Sequence, residues 1–389
     1  MKAVEIKKGV YWVGVKDWNL REFHGYTTSR GSTYNAYLIV DDKITLIDGV
    51  KEPFTDQMMQ RIASVVDPEK IDVVVCNHVE MDHSGALPAV MAKAKNATLY
   101  CPPAGERGLS AHYDTTGWKI QTVKTNDTLN IGKHTLTFVQ MPMVHWPDSM
   151  MTYVADEKLL FPNDGFGQHY ASDELFDDDN LDIILDEAKK YYGNIVWPYG
   201  AQVQKVLEIA ATLDIDMIAP SHGVIWRKHI PEIVEKYKLW SSYGNVADKA
   251  VVVYDSMWGS TEKMAREVAA AWQEKGLRVT MVSLKHSNVS DAINAIVEAK
   301  YVALGSPTLN TGILPTMGAF LTYLRGLAPK NKTGFCFGSY GWKKDCQQEM
   351  QDVLAKLGWN LPQPIATLNW RPTIEGLKSV RDAASAVVG

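Results

Sequence analysis

Four side chains able to bind a metal lie within six positions of one loop. The stretch VVVCNHVEMDHSGALP begins as an apolar, β-branched run and then carries His78, Glu80, Asp82 and His83. Imidazole and carboxylate groups are common ligands of zinc and iron in proteins. Because a buried strand that ends in a polar loop places such side chains at the edge of a sheet, this loop is predicted to form a metal site.

Three further candidate ligands follow other apolar segments. His145 lies in QMPMVHWPDS, Asp164 in LLFPNDGFG and His222 in IAPSHGVIW. Together the seven residues offer four imidazoles and three carboxylates, more than one four-coordinate zinc uses. A bridging carboxylate can hold two metals a few ångströms apart, so a pair of metals is predicted.

The ligand pattern resembles that of the metallo-β-lactamase superfamily. Its hydrolases carry an H-x-H-x-D-H loop followed by a distant histidine, a bridging aspartate and a last histidine, but Glu80 stands where they have the second histidine. A carboxylate in place of an imidazole makes the site harder and more negative, which favours iron or manganese over zinc. The pattern H-x-E-x-D-H is that of the flavodiiron proteins, which this chain resembles.

The resemblance implies a non-haem di-iron centre. The implied ligands are His78, Glu80 and His145 on one iron, Asp82, His83 and His222 on the other, and Asp164 between them. In some members of that family the first histidine is held off the iron, so the role of His78 stays open. The alternative is a binuclear zinc hydrolase whose metal-bound hydroxide attacks an ester, thioester or lactam; Glu80 and the attached second domain disfavour it.

Three other polar residues, His24, Tyr192 and Ser84, are candidates for a role beside the metal ligands. His24 in REFHGYTTSRGSTYN and Tyr192 in KKYYGNIVWP match positions that lie near the irons in relatives, which implies that they position ligands or donate protons. A hydrogen-bonded core histidine and a packing tyrosine remain the alternatives. Ser84 has no G-x-S-x-G context of a nucleophile and is predicted to cap the following turn.

A second group of motifs lies in the last third of the chain. In AVVVYDSMWGSTEKMA a strand runs to Asp255 and a helix starts near Thr261, so the loop between them is predicted to hold a phosphate at the helix N-terminus. The absence of G-x-x-x-x-G-K-[ST] disfavours a triphosphate-hydrolysing loop. The loops LGSPTLNTGILP and FGSYGW close the third and fourth strands of the same region.

Residues 250–389 resemble a flavodoxin, and the resemblance implies bound FMN. The residues implied to hold the phosphate are Ser256, Met257, Trp258, Gly259, Ser260 and Thr261. Those implied to flank the ring are Pro307, Thr308, Leu309, Asn310, Ser339, Tyr340, Gly341 and Trp342. Of these, Trp258 and Trp342 are candidates for stacking on the flavin, with ordinary packing as the alternative.

Two patterns of secondary structure meet near SSYGNVADK, residues 241–249. Before it, short turn-bounded strands are joined by helices near 53–66, 183–192, 201–213 and 230–241. After it, five apolar strands alternate with helices that begin near 261, 290, 315, 342 and 373, which predicts a doubly wound parallel sheet. The prediction is an α/β chain with a metallo-β-lactamase-like αββα sandwich at 1–247 and a flavodoxin-like domain at 248–389.

Composition excludes several classes of partner. A net charge of -5 without a dense Lys/Arg stripe disfavours nucleic acid. No apolar run approaches the roughly 20 residues that span a bilayer, and the start MKAVEIKKGVYW lacks a signal-peptide core, so no membrane association and a cytoplasmic location are predicted. The four cysteines are too scattered for a rubredoxin-type iron site, so an electron donor of that type is predicted to be a separate protein.

The implied cofactors define the implied chemistry. Two ferrous irons and one reduced flavin hold four electrons, which reduce O2 to water; two electrons convert a pair of NO molecules to N2O and water. The resemblance implies an O2 and/or NO reductase, fed by rubredoxin or another external reductant such as a deazaflavin, and assembled as a head-to-tail homodimer or a dimer of dimers. The sequence leaves the choice between O2 and NO open.

A third interpretation, a plain electron carrier with a decayed first domain, is disfavoured by the complete set of seven ligands.

Overall fold

The computed structural model describes residues 1–344 and 346–388, which form two compact units. The first unit comprises Met1–Phe23, Thr28–Tyr191 and Ala201–Lys238. The second comprises His24–Thr27, Tyr192–Gly200 and the chain from Leu239 onward. In the part of the chain that is described, no helix has the length and apolar character needed to cross a membrane.

Short strands dominate the first 218 residues, as their turn-bounded apolar segments predict. They are β1 (Val4–Lys7), β2 (Val10–Trp12), β3 (Val15–Asp17), β4 (Glu22–Phe23), β5 (Tyr26–Thr27), β6 (Ser32–Tyr34), β7 (Tyr37–Ile39), β8 (Ile44–Ile47), β9 (Ile71–Val75), β10 (Thr98–Cys101), β11 (Lys119–Thr122), β12 (Thr128–Asn130), β13 (Thr135–Gln140), β14 (Met150–Val154), β15 (Leu159–Phe161) and β16 (Met217–Ile218). One sheet has the order β1-β2-β7-β8-β9-β10-β11 and another β12-β13-β14-β15-β16. Strands β8 to β11 are mutually parallel.

Helices join these strands; those near 53–66, 183–192, 201–213 and 230–241 were predicted, whereas the helices between residues 81 and 112 were not. The helices are α1 (Thr55–Ala63), α2 (Met81–Ser84), α3 (Leu87–Lys93), α4 (Pro103–His112), α5 (Leu181–Tyr191), α6 (Gly200–Ala210) and α7 (Ile230–Ser241). The short helix α2 is formed by the metal loop itself, so the polar ligand residues are held on a defined turn.

Strand β9 explains how the first unit is layered. Its side chains alternate between two cores because successive residues of a strand face opposite sides of the sheet. Val74 packs with Leu87 and Val90 of α3, whereas Val73 and Val75 pack with residues of the second sheet. A strand buried on both faces reads as a continuous apolar run, and its polar continuation must emerge at the edge of the sheet.

The second unit contains the predicted parallel sheet. Its elements are β17 (Val246–Tyr254), α8 (Ser260–Glu274), β18 (Arg278–Ser283), α9 (Val289–Ile296), β19 (Ala299–Gly305), α10 (Pro315–Leu327), β20 (Thr333–Tyr340), α11 (Gln348–Lys356), β21 (Ala366–Asn369) and α12 (Ile374–Ser385). The strand order is β18-β17-β19-β20-β21 and every pair is parallel. The order reverses between β17 and β19, and loops at such a switch point form ligand sites. The predicted α/β class is confirmed.

One predicted helix start is wrong. The helix expected to begin at Trp342 begins at Gln348, and Trp342 lies in a loop with its side chain 88% exposed. The described residues that directly follow β20 therefore form a loop, and the helix begins later than predicted. Because the Trp342 ring is not buried against the sheet, it supplies none of the apolar packing that stabilises a helix in a protein.

Candidate metal centre and cofactor cavity

The loops that leave the two sheets bring all seven predicted ligands together. The structure forms two groups, the first of His78, Glu80, His145 and Asp164 and the second of Asp82, His83 and His222, and within each group the ligand atoms lie within 4.8 Å of one another. Glu80 is 14% exposed and the other six residues are buried. Each group therefore has the residue types and the spacing of a metal site.

Asp164 contacts both groups with different oxygens. Its Oδ2 lies 3.4 Å from Nε2 of His145 and 3.7 Å from Nε2 of His78. Its Oδ1 lies 3.1 Å from Nε2 of His83 and 3.5 Å from Nε2 of His222. A carboxylate that offers one oxygen to each of two ligand groups has the geometry of a bridge between two metals.

The spacing inside each group fits coordination to a common ion. Glu80 Oε2 lies 3.3 Å from Nε2 of His78 and 3.4 Å from Nε2 of His145. Asp82 Oδ2 lies 3.4 Å from Nε2 of His83 and 3.1 Å from Nε2 of His222. Two ligand atoms that are each about 2.1 Å from one ion, at tetrahedral or octahedral angles, lie about 3.0 to 3.4 Å apart.

Unsatisfied polar atoms give an independent test of the site. Both carboxylate oxygens of Asp82, Oδ2 of Asp164, and Nε2 of His83 and of His222 are buried without a hydrogen-bond partner among the described residues. Buried polar atoms are nearly always satisfied, and charged ones are costly when they are not. Two cations at this position would satisfy these atoms at once, so the residues fit a pair of metals.

The electrostatics of the centre favour positive charge. Burial alone would lower the pKa of His83, but the carboxylates of Asp82 and Asp164 raise it to about 9. Burial alone would raise the pKa of Asp164, but the positive charge of His83 holds it well below its usual value. With its pKa raised to about 9, His83 holds a proton at neutral pH that a metal must displace in order to bind.

Asp148, which the sequence analysis did not single out, orients the first ligand. Its Oδ2 lies 2.9 Å from Nδ1 of His78 and accepts the backbone N–H of Val79 at 2.8 Å. Burial alone would lower the pKa of His78, but hydrogen bonds to Asp148 and Glu80 raise it well above its usual value. A metal-binding histidine usually donates its second N–H to such a carboxylate, which directs the other nitrogen to the metal. This geometry directs Nε2 of His78 into the first ligand group.

Replacing Asp148 by Asn is expected to weaken metal binding in the first group about 10- to 100-fold, since the amide is a poorer acceptor for the Nδ1 proton of His78. Chelator competition on the full-length protein measures the affinity. Asp156→Asn, at an exposed position, is the matched control. Affinities that agree within twofold between the two variants would show that Asp148 does not orient the ligand.

A buried network holds two of the ligand loops at their strand ends. Asp48 accepts hydrogen bonds from the backbone N–H and the side-chain amide of Asn77, at 2.7 and 3.0 Å, and from the amide of Asn163 at 3.2 Å. Asn77 immediately precedes His78, and Asn163 immediately precedes Asp164. A single carboxylate therefore fixes the spacing of two ligand-bearing loops.

Ser84 stabilises the metal loop from within. Its buried hydroxyl donates to the carbonyl of Val79 at 2.7 Å and lies 3.0 Å from the carbonyl of Glu80. The prediction that Ser84 caps the following turn is wrong, because the residue at the N-cap of the next helix is Ala86. Ser84 lies on α2, so its hydroxyl reaches back to the carbonyls of the preceding turn.

Two aromatic residues that the sequence analysis did not select line the second ligand group. The ring of Tyr191 lies 5.9 Å from the ring of His222 and 5.0 Å from that of His169, and the rings of His169 and His222 are 4.7 Å apart. Ser32 Oγ lies 2.6 Å from Nδ1 of His169. These rings limit the rotation of His222, whose Nδ1 lies 2.6 Å from the carbonyl of Thr33.

The two residues predicted to lie near the irons, His24 and Tyr192, have different surroundings. Tyr192 is buried with its ring 5.4 Å from that of Trp240. His24 is exposed, with a positive φ of 50°, between β4 and β5. Both belong to the second compact unit. Their roles toward the irons remain predictions, whereas the ring of Tyr191 packs near that of the candidate ligand His222.

Glu187, one helical turn before Tyr191, is a buried acid with a raised pKa. Burial, offset in part by Lys190 and Arg30, raises the pKa of Glu187 to about 7, and Oε1 lies 3.1 Å from Nε of Arg30. The folded pKa exceeds the unfolded one, so this group favours folding below about pH 4.5 and loses that contribution as pH rises to 7.

Glu187→Gln is therefore expected to reduce the loss of stability between pH 5 and pH 8 by up to about 3 kcal/mol. The free energy of unfolding of the full-length protein is measured at both pH values. Its change with pH in Glu187→Gln is compared with its change in Glu235→Gln, a control at an exposed position. An identical pH dependence in the two variants would show that Glu187 is ionised in the folded protein well below pH 7.

The second unit carries a cavity of about 810 Å³ at the carboxyl edge of its sheet. Twelve of the fourteen predicted FMN-binding residues line it: Ser256, Met257, Trp258, Ser260, Pro307, Thr308, Leu309, Asn310, Ser339, Tyr340, Gly341 and Trp342. The volume is within the range of small-molecule sites. The first turn of α8 begins at this cavity and no side chain caps it, so its N–H groups are free to face an anion. The residues fit a phosphorylated planar ligand.

Two predicted residues do not line the cavity, and five others do. Thr261 is buried, with its hydroxyl 2.9 Å from that of Ser339, and Gly259 supports the loop in a left-handed conformation, φ 82°. The residues that the sequence analysis missed are Lys263, Thr311, Lys343, Trp370 and Arg371. The three basic side chains among them add positive charge near the predicted phosphate and ring.

Comparison with known proteins matches both parts of the chain. Residues 33–223 match the family model described as ODP family beta lactamase, and residues 252–383 match the flavodoxin model. The nitric oxide reductase of Moorella thermoacetica is 44% identical, covering 97% of this chain and 96% of its own length. The rubredoxin-oxygen oxidoreductase of Megalodesulfovibrio gigas is 40% identical over 100% and 98%. The crystal structure of the flavodiiron protein from Giardia intestinalis superposes with a TM-score of 0.97 at 36% identity over 100% and 96% of the two chains.

Proposed function

Because the chain belongs to the flavodiiron proteins, we propose that it reduces O2 to water, NO to N2O, or both, at a non-haem di-iron centre, with FMN relaying electrons from an external donor. The observation that carries the proposal is Asp164, whose two oxygens face two complete ligand groups in a chain that also has a flavin-sized cavity. The bound irons and flavin supply the electrons.

The residues of the chain hold and orient these groups. The seven candidate ligands would hold the two irons, Asp148 sets the orientation of His78, and the ring of Tyr191 packs against His222. Tight positioning allows both metals to act on one small substrate. His24 and Tyr192 are proposed to supply protons, as the family resemblance implies.

Zinc hydrolysis is the weaker alternative. The carboxylate of Glu80 replaces a histidine of the zinc hydrolases, and a hydrolase has no use for a flavin cavity. Anaerobic stopped-flow oxidation of the reduced protein, with O2 and NO in separate experiments, tests the proposal. Rapid oxidation of flavin and iron by either gas supports it. Protein that contains zinc alone and no flavin would refute it.

We further propose that the chain functions as a head-to-tail homodimer or a dimer of dimers. Trp258, Trp342 and Trp370 are 92, 88 and 60% exposed around the cavity. An apolar rim of this kind marks an interaction surface, and a second copy would cover it. Light scattering coupled to size-exclusion chromatography measures the assembly, and an active monomer would contradict this proposal.

The electron donor is proposed to be rubredoxin or another external reductant. Lys263, Lys343 and Arg371 also line the cavity beside the tryptophans, and these positive charges would accelerate association with a negatively charged donor. The rate of flavin reduction by rubredoxin is expected to fall as ionic strength rises. A rate that does not change with salt would argue against electrostatic docking.

A further inference from the structure

A buried glutamine lies behind the two loops predicted to hold the flavin ring. We name residues 306–311 the first ring loop and residues 339–343 the second ring loop. Gln347 is fully buried at the N-terminus of α11 and does not line the cavity. Its side-chain amide reaches three oxygens: the carbonyl of Ser306 at 3.1 Å, the hydroxyl of Thr308 at 3.3 Å and the carbonyl of Ser339 at 3.2 Å.

These contacts join the two ring loops. Ser306 and Thr308 belong to the first ring loop and Ser339 to the second, so one amide group bridges them. A backbone hydrogen bond from Thr308 to Ser339, at 2.9 Å, runs beside it. The spacing of the two loops therefore depends on a side chain outside the cavity.

The sheet has a glycine where this amide packs. A Cβ at Gly338 would lie 2.8 Å from Cγ and 2.9 Å from Nε2 of Gln347, and 2.0 Å from the carbonyl oxygen of Ser306. These distances are too short for any larger residue. The absence of a side chain at Gly338 allows the amide to lie directly against the strand.

The first ring loop needs an external support of this kind. Asn310 and Thr311 both have positive φ, 48° and 65°, which is costly for a β-branched residue such as Thr311. Two short hydrogen bonds between Leu309 and Gly312 close the turn. Strained backbone persists only where the surrounding structure fixes it, and Gln347 is bonded to the start of this loop.

The amide also has a cost that packing alone does not explain. Oε1 of Gln347 is buried without a hydrogen-bond partner among the described residues. A buried polar atom without a partner destabilises a fold. If the side chain served only to fill space, a methionine of the same length would do so without that cost.

We propose that Gln347 is a positioning residue for FMN: it fixes the distance between the two ring loops and so sets the affinity for the flavin. The inference rests on the FMN binding of the proposed function. Gln347 acts through the two ring loops, because its own side chain does not line the cavity.

Gln347→Met separates this role from a structural one. The variant keeps the length and the packing against Gly338 but removes both the donors and the unsatisfied oxygen. FMN released from the full-length holoprotein is measured by its fluorescence after dilution and ultrafiltration. We expect the Kd for FMN to rise at least about tenfold, equivalent to about 1.4 kcal/mol. The Tm of the FMN-depleted full-length chain should change little, because the Ser306 carbonyl loses its donor but the unsatisfied Oε1 is removed as well.

Controls make each outcome decisive. Gln348→Met replaces the neighbouring exposed glutamine and is expected to change neither quantity. Gln347→Asn, which withdraws the amide by one methylene, is the second variant if Gln347→Met does not fold. A Kd within twofold of wild type, or a weaker Kd that only follows a lower Tm of the FMN-depleted chain, would overturn the inference. Wild-type protein that binds no FMN would instead refute the proposed function.

Discussion

Glu80→His is expected to exchange the metal content from iron to zinc and to reduce the rate of O2 or NO reduction at least about 100-fold. The substitution restores the H-x-H-x-D-H loop of the zinc hydrolases. It removes one negative charge from a group in which Glu80 Oε2 lies 3.3 Å from His78 and 3.4 Å from His145. A softer and less anionic ligand set favours zinc over iron, and zinc has no redox chemistry.

The measurement is iron and zinc per chain after expression with both metals present, together with the steady-state rate. Met81→Leu is the matched control, because Met81 lies in the same loop, is 59% exposed and offers no ligand to either group. Two irons per chain and a rate within tenfold of wild type in Glu80→His would show that the identity of this ligand does not select the metal.

The seven candidate ligands could be selected from the sequence because each follows a recognisable strand end, and the structure brings them together in two groups. Because β9 is buried on both faces, its sequence is a continuous apolar run. The polar residues that follow it at His78 are therefore easy to recognise in the sequence. Asp164 likewise follows β15 by a few residues. Ligand types concentrated at such positions indicate a shared edge of the sheet before any coordinates are known.

The supporting residues were not predictable, since their function depends on contacts between distant segments. Asp48 joins loops that begin 29 and 115 residues away in the chain. Asp148 reaches back 70 residues to His78. A lone aspartate at a strand end or in a turn is common, and only tertiary packing shows which other loop it contacts. Tyr191 and Tyr192 are adjacent in sequence, so the sequence cannot show which of them faces His222.

The residues that line the cavity were likewise predictable only in part from the sequence. The predicted loops at the ends of β17, β19 and β20 line it, as the reversal of strand order requires. Trp370 and Arg371 follow β21, a strand that was predicted but whose exit was not assigned to the site. Gln347 was overlooked because a glutamine at the start of a helix is ordinarily a surface residue.

Asp164→Asn is expected to lower the metal content to one ion per chain or fewer and to reduce the rate of O2 or NO reduction at least about 1,000-fold, the largest effect of any single substitution considered. Asn keeps the shape of Asp164 but has one oxygen and no charge, so it cannot offer an oxygen to both groups. Whichever oxygen the NH2 group replaces, either the contact of Oδ1 to His83 or that of Oδ2 to His145 is lost. Two metals that are no longer bridged lose their common substrate position.

Ser221→Ala provides the matched control for this prediction. The Ser221 hydroxyl donates to Oδ1 of Asp164 at 3.2 Å, so its removal alters the surroundings of the same oxygen without removing a ligand. Loss of one hydrogen bond to a charged group costs about 1.5 to 3 kcal/mol at most, and second-layer changes at metal sites reduce affinity about 10- to 100-fold. The rate in Ser221→Ala should therefore exceed that in Asp164→Asn by at least about tenfold. Equal rates and equal metal contents in the two variants would show that Asp164 orients the site from outside and does not bridge two metals.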